Sequence, residues 1–129
     1  MLYEALGKAI EKGLVASCHD CSDGGLGVAL AETAFAGALG MEVDLRRVPC
    51  SGVNRNDVLL FSESQSRFVV TVHPGNQATF EDCLKGNVFS EVGNVAKRKD
   101  FQVIGLTGKG VVQADIFDLK ETWQRPLRF

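Results

Sequence analysis

The segment Asp20-Cys21-Ser22-Asp23-Gly24-Gly25-Leu26 concentrates the residue types in this chain that are best placed to do chemistry. It lies between a short apolar run and a long apolar stretch of helical spacing, so it reads as a strand-to-helix turn. The first turn of a helix carries backbone N–H groups without intrahelical partners and the positive end of the helix dipole, which together favour an anion. Adjacent glycines let the chain turn sharply and leave no side chain in a ligand's way. The Ser22 hydroxyl can donate to a phosphate oxygen. A plainer reading fits the same residues: Ser22 or Asp23 caps the helix, and the glycines only make the turn. Both readings stand on the residues alone.

Asp20 and Asp23 complicate an anion site, because carboxylates repel a phosphate unless they point away, cap N–H groups or meet a metal ion such as Mg²⁺. The turn also holds no Lys or Arg, which points to a site shared with groups elsewhere. It matches neither a Walker loop nor a dinucleotide fingerprint, so a nucleotide cannot be argued from it alone.

Other constellations carry less. Cys18 and Cys21 have Cys-x-x-Cys spacing, but Cys50, His73 and Cys83 are too scattered to complete a zinc site, and packing is the preferred role for the thiols. His19 is a candidate acid or base. Its neighbour Asp20 should point to the opposite face of a strand, so no His–Asp pair is expected and ordinary hydrogen bonds are preferred. The polar cluster Ser62-Glu63-Ser64-Gln65-Ser66-Arg67 runs into the best strand; as a turn it can line one edge of a cleft with the first.

The elements that position these residues follow from periodicity. Leu2, Leu6, Ala9 and Ile10 recur at helical spacing and Gly13 stops the helix. Leu14 to Cys18 is strand-like, and His19 to Gly25 must turn. Leu26 to Ala36 reads as a helix ended by Gly37 and Gly40. It is apolar nearly all round with Glu32 its only charge, so it is expected to be buried on several sides, with small residues that admit a sheet on one side and suit either a domain interface or a dimer on another. Strands are expected at Met41–Leu45, Arg67–Val72, Glu91–Ala96, Phe101–Leu106 and Val111–Ala114, with helices at Asn56–Phe61 and from Gln77 to Leu84. Gly108-Lys109-Gly110 signals a hairpin. Asp115 can cap a last helix with Ile116, Leu119 and Trp123 on one face. This order predicts an α+β fold, a mixed β-sheet flanked by helices.

The 129 residues suit a single domain, and 45% hydrophobic against 23% charged residues excludes disorder. Net charge is −2, and the densest basic stretch, Lys97-Arg98-Lys99, is only a solvated turn, so nucleic acid is not an expected partner. No run approaches the ~18 apolar residues of a membrane span. The start lacks the pattern of a signal peptide, and reduced thiols in a cytoplasmic protein are expected.

Ala16 to Glu32 and Leu59-Leu60-Phe61-Ser62-Glu63-Ser64-Gln65-Ser66-Arg67-Phe68 resemble the two signatures of the second carboxyl-terminal domain of phosphoribosylformylglycinamidine synthase. That family carries His-Asp-x-Ser-(Asp/Glu)-Gly-Gly-Leu before an Ala-rich helix. The spacing between the signatures and the Glu91-Val92-Gly93-Asn94-Val95 segment fit as well, so the resemblance covers nearly the whole chain. Cys21 departs from it where an apolar residue is usual.

The resemblance implies a carboxyl-terminal domain of the aminoimidazole ribonucleotide synthetase type, residues 1–129, excised from a much larger chain and inactive alone. It implies an ATP- and glutamine-dependent ligase of purine synthesis, which converts formylglycinamide ribonucleotide to the amidine, with ATP and Mg²⁺ bound mainly in other domains. A separate glutaminase subunit would supply ammonia. No catalytic or metal-binding residue is carried over; Ser22, Asp23, Gly24, Gly25 and Leu26 are carried over as contacts to a phosphate of substrate or nucleotide. The alternatives are another ATP-dependent synthetase or kinase of the superfamily, or a non-catalytic phosphometabolite-binding or interaction module.

Overall fold

The computed structural model describes residues 2–21, 23–50, 55–62 and 67–125. In chain order its helices are α1 (Leu2–Glu11), α2 (Gly25–Ala36), α3 (Asn56–Phe61), α4 (Gln77–Cys83) and α5 (Ile116–Gln124). Its strands are β1 (Ser17–Asp20), β2 (Gly40–Asp44), β3 (Phe68–Thr71), β4 (Gly93–Ala96), β5 (Asp100–Ile104) and β6 (Gly110–Asp115).

The spacing of Ala5, Leu6 and Ala9 gives α1 one buried face. The helix ends in a Schellman pair of bonds, Gly13 N to Ile10 O and Leu14 N to Ala9 O, each 3.0 Å. Leu14 is thereby folded back into the same apolar cluster as Ala9. This explains why β1 starts at Ser17, later than the expected Leu14, and why it carries His19 and Asp20 within the strand rather than in the turn.

The strands form two ladders. The expected mixed sheet has the order β4-β2-β5-β6, with β2 and β5 parallel and the other neighbours antiparallel. The Lys97–Lys99 turn crosses over the start of β2, where Gly40 lies against the Arg98 and Asp100 carbonyls and leaves no room for a side chain. The β5–β6 hairpin turns through Gly108 at φ +86°, closed by Gly105 N donating to Lys109 O at 2.7 Å. The second ladder is β1 paired antiparallel with β3, from Ser17 opposite Thr71 to Asp20 opposite Phe68. Alpha helices α1 and α4 pack on this ladder through Leu6, Ala9, Leu14, Phe80 and Leu84.

α2 lies at the centre. It packs against α3, α5, the β1–β3 ladder and β2, and no residue from Gly25 to Phe35 is exposed. Leu26, Ala29, Leu30, Ala34 and Phe35 enter one core with Met41, Val43 and Leu45 from the β2 segment, Leu59 and Leu60 from α3, Val103 from β5, and Ile116 from α5. The chain itself therefore covers several apolar sides of this helix. The helix ends where expected, at Ala36 with Gly37 as its C-cap. Gly37 keeps a negative φ of −87°, and Ala38 takes the left-handed position at φ +54°. Ala38 N and Leu39 N donate to Phe35 O and Ala34 O, at 3.2 Å each.

At the other end of the chain, the Asp115 side chain caps α5 as expected, accepting from Phe117 N and Asp118 N. Ile116 is fully buried, whereas Trp123 is half exposed with its ring 5.6 Å from that of Phe35. Among the described residues, no helix is long and apolar enough to cross a membrane.

Candidate functional site

β1 delivers the chain to the turn and α2 carries it away. Ser22 lies outside the described residues. Asp23 is exposed. Gly24 is the N-cap of α2 at φ +81°, and Gly25, its first residue, has φ +77°. Two successive left-handed residues are readily adopted only by glycine. The cap position itself therefore carries no side chain that could accept from the first N–H groups of the helix. The Leu26 side chain is buried in the core, so a ligand can meet this residue only through its backbone.

The turn is seated on the end of α3. A Cβ on Gly25 would lie 2.7 Å from the Ser62 carbonyl oxygen and 2.9 Å from that of Leu60. At Gly27 the Leu60 oxygen would be 3.1 Å away. The β1–β3 register closes the other side: Cys21 N donates to Arg67 O at 3.1 Å, and Arg67 Nη2 donates to Ser62 O at 2.6 Å. The two motif regions thus meet around one turn, through Ser62 and Arg67 at the two ends of the second; Glu63, Ser64, Gln65 and Ser66 lie outside the described residues. Pairing of β1 with β3 also brings a guanidinium beside a turn that has no basic residue of its own. The sequence placed Arg67 at the start of a strand but held no signal for that strand's partner.

His19 has two carboxylate partners. Its Nε2 lies 2.6 Å from Glu32 Oε2 on α2, and its Nδ1 lies 3.4 Å from Asp20 Oδ1. The expectation that adjacent strand residues cannot pair is corrected here. Asp20 is the last residue of β1, where the pleat stops constraining the side chain, and its carboxylate reaches back to the ring. The hydrogen bond to Glu32 raises the His19 pKa above its ordinary value; burial opposes this, and a hydrogen bond to the Asp20 backbone and the charges of both carboxylates add to it. The signal for this pair was Glu32 itself, the single charge on an otherwise uncharged helix. Imidazole and carboxylate open onto a shallow groove lined by Phe35, Ala36, Lys120 and Trp123.

The thiols are poorly suited to nucleophilic work. Burial, followed by the Asp20 charge, raises the Cys18 pKa. Burial also raises that of Cys21, with Arg67 opposing and Asp20 reinforcing. Cys21 packs in the core as expected, but Cys18 is exposed, because alternation along β1 turns it outward. Among the described residues, no group of three or more His, Cys, Asp or Glu side chains is placed to hold a metal ion.

A family model described as AIR synthase related protein, C-terminal domain, matches residues 1–105. The phosphoribosylformylglycinamidine synthase subunit PurL of Lactobacillus acidophilus is 42% identical over 123 residues, which cover 95% of this chain and 15% of that protein. Solved structures of Thermotoga maritima PurL superpose at 28% identity. The one complexed with FGAR has a TM-score of 0.80 and the match covers 92% of this chain and 20% of that one. The one complexed with ATP has a TM-score of 0.79, with 90% and 20% covered. The hydrogenase maturation protein HypE of E. coli, at 20% identity and TM-score 0.70 over 88% of this chain and 38% of that one, shares the fold alone. The chain thus spans about 15% of the length of the curated PurL relatives it matches.

Proposed function

The chain belongs to the family of AIR synthase related proteins, C-terminal domain, and from that premise we propose that it serves as the C-terminal domain of a phosphoribosylformylglycinamidine synthase. In this reading residues 1–129 are one domain of a larger cytoplasmic ligase. That enzyme phosphorylates the amide oxygen of formylglycinamide ribonucleotide with ATP and replaces the oxygen with ammonia drawn from glutamine. ATP and Mg²⁺ sit mainly in other domains, and a separate glutaminase subunit delivers the ammonia. This chain contributes no catalytic residue. Its part is the Ser22-Asp23-Gly24-Gly25-Leu26 turn, which presents backbone N–H groups to a phosphate of the substrate or the nucleotide.

The observation that carries the reading is the left-handed Gly24-Gly25 pair opening α2. It leaves the helix start without a side chain at the cap and holds its N–H groups on a rigid seat, the end of α3. Preorganised backbone donors on a helix start are the recurrent solution for binding phosphate. Kinetics of the proposed enzyme carrying Gly24→Val supply the test. A valine Cβ would meet Val28 Cγ2 at 2.6 Å and disturb the turn. The expected result is a raised KM for one phosphorylated ligand, with the others unchanged. Unaltered constants for every ligand in a folded variant would overturn the role of the turn.

A further inference from the structure

We propose that His19 is a positioning residue for the phosphate turn, tying the strand that enters it to the helix that leaves it and holding the Asp20 carboxylate away from the anion. This rests on the reading of the turn as a phosphate site. The geometry has two parts. The bond from His19 Nε2 to Glu32 Oε2, 2.6 Å, joins β1 to α2 about two helical turns beyond Gly25. A tie at that distance resists both sliding and rotation of α2 against β1, and so fixes the direction in which the first N–H groups of α2 point. The contact from Nδ1 to Asp20 Oδ1, 3.4 Å, partly neutralises the carboxylate at the end of the strand that enters the turn. Asp20 would otherwise repel a bound phosphate.

Both contacts are made by a ring with a proton on each nitrogen, so the arrangement is complete only in the imidazolium form. The groups that face this ring are Glu32 from α2 and Asp20 from β1, with Lys120 from α5 lining the same groove. Arg67, beside Cys21, adds positive charge on the far side of the turn. The carboxylates favour the proton and burial opposes it. On loss of the proton the ring must give up one of its two contacts.

The test is nuclear magnetic resonance on this 129-residue chain, following the His19 ring and the Gly24 and Gly25 amides from pH 5 to 9. Those amides are expected to shift with the same midpoint as the ring. His19→Gln should flatten their response, and Glu32→Gln, which removes the main partner, should move the shared midpoint to lower pH. The Glu32 variant carries the test by itself if His19→Gln does not fold. Sulfate, which does not titrate in this range, is the anion probe. An anion that raises the His19 pKa by about half to one unit binds roughly three- to tenfold more weakly once the ring is neutral. Glycine amides that ignore the His19 titration, or that titrate unchanged in both variants, overturn the proposal. Amides that follow His19 uphold its positioning role whether or not this turn alone binds sulfate, and the phosphate reading of the turn is tested separately by the kinetics of Gly24→Val.

Discussion

Replacing Gly25 by alanine adds one methyl group at the point where the turn is seated on α3. Two costs follow. A residue with a Cβ pays about 1–2 kcal/mol to hold the left-handed conformation, and Gly25 holds it at φ +77°. The new methyl would also meet three backbone atoms, Ser62 O at 2.7 Å, the Phe61 carbonyl carbon at 2.8 Å and Leu60 O at 2.9 Å. Backbone at a helix end cannot rotate away as a side chain can, and overpacking of this kind costs about 1–3 kcal/mol. Together these predict a loss of roughly 2–5 kcal/mol, a large share of the ~5–15 kcal/mol of a typical domain, and a fall in Tm on the order of 10 °C.

Urea denaturation of the chain checks this, with the midpoint expected to fall at constant m-value. Gly7→Ala is the internal control. Gly7 lies within α1 at an ordinary φ, and a Cβ there would meet nothing within 4 Å. That change should stabilise by about 0.5–1 kcal/mol, because alanine is the better helix former. A Gly25→Ala variant that loses less than about 0.5 kcal/mol, or that matches Gly7→Ala, would refute the claim that the turn is locked against α3.

Ala38→Gly should raise stability by about 1 kcal/mol, since Ala38 holds the left-handed C-terminal position of α2 at φ +54° while carrying a Cβ; a thermal melt reads it. Asp115→Ala removes the acceptor for Phe117 N at 2.8 Å and Asp118 N at 3.3 Å and should cost about 1 kcal/mol by denaturant titration. The Asp44 carboxyl, held by hydrogen bonds from Arg46 chiefly through its side chain, is lowered from 3.8 to about 2. Its folded value lies below the unfolded one, so whatever stability it adds is present above the ordinary carboxylate range and is lost as pH falls through about 2. Carboxyl resonances should show that low midpoint, and Arg46→Gln should return it to the ordinary range.

Local pattern made much of the fold legible. Helical spacing located α1 and α2, the glycines of Gly108-Lys109-Gly110 located the hairpin, and Asp115 located the start of α5. What stayed hidden was decided by pairing at long range. No periodicity states that β1 joins β3, and that pairing sets Arg67 against Cys21. The strand-to-helix turn was visible as an anion-friendly feature, but its seat on Leu60 and Ser62 was not, because α3 arrives from more than thirty residues later in the chain. The end of α2 at Ala36 was legible from Gly37, but nothing in the residues marked Ala38 as the one that takes the left-handed position.

The composition of α2 and the chemistry of its turn are one feature rather than two. A helix apolar on nearly every side calls for burial on several sides, and α3, α5, the β1–β3 ladder and β2 cover it from within. Most of such a helix is packed against the core, which limits how far it can shift. Its one charge, Glu32, is half-buried and bonded to His19. Burying a carboxylate in that way costs stability unless it is paired, and the pairing chosen reaches the strand that feeds the turn. Glu32 therefore binds α2 to β1 at the place where a displacement would redirect the Gly25 and Leu26 N–H groups. If instead the charge served only solubility, Glu32→Gln would leave the Gly24 and Gly25 amides where they are.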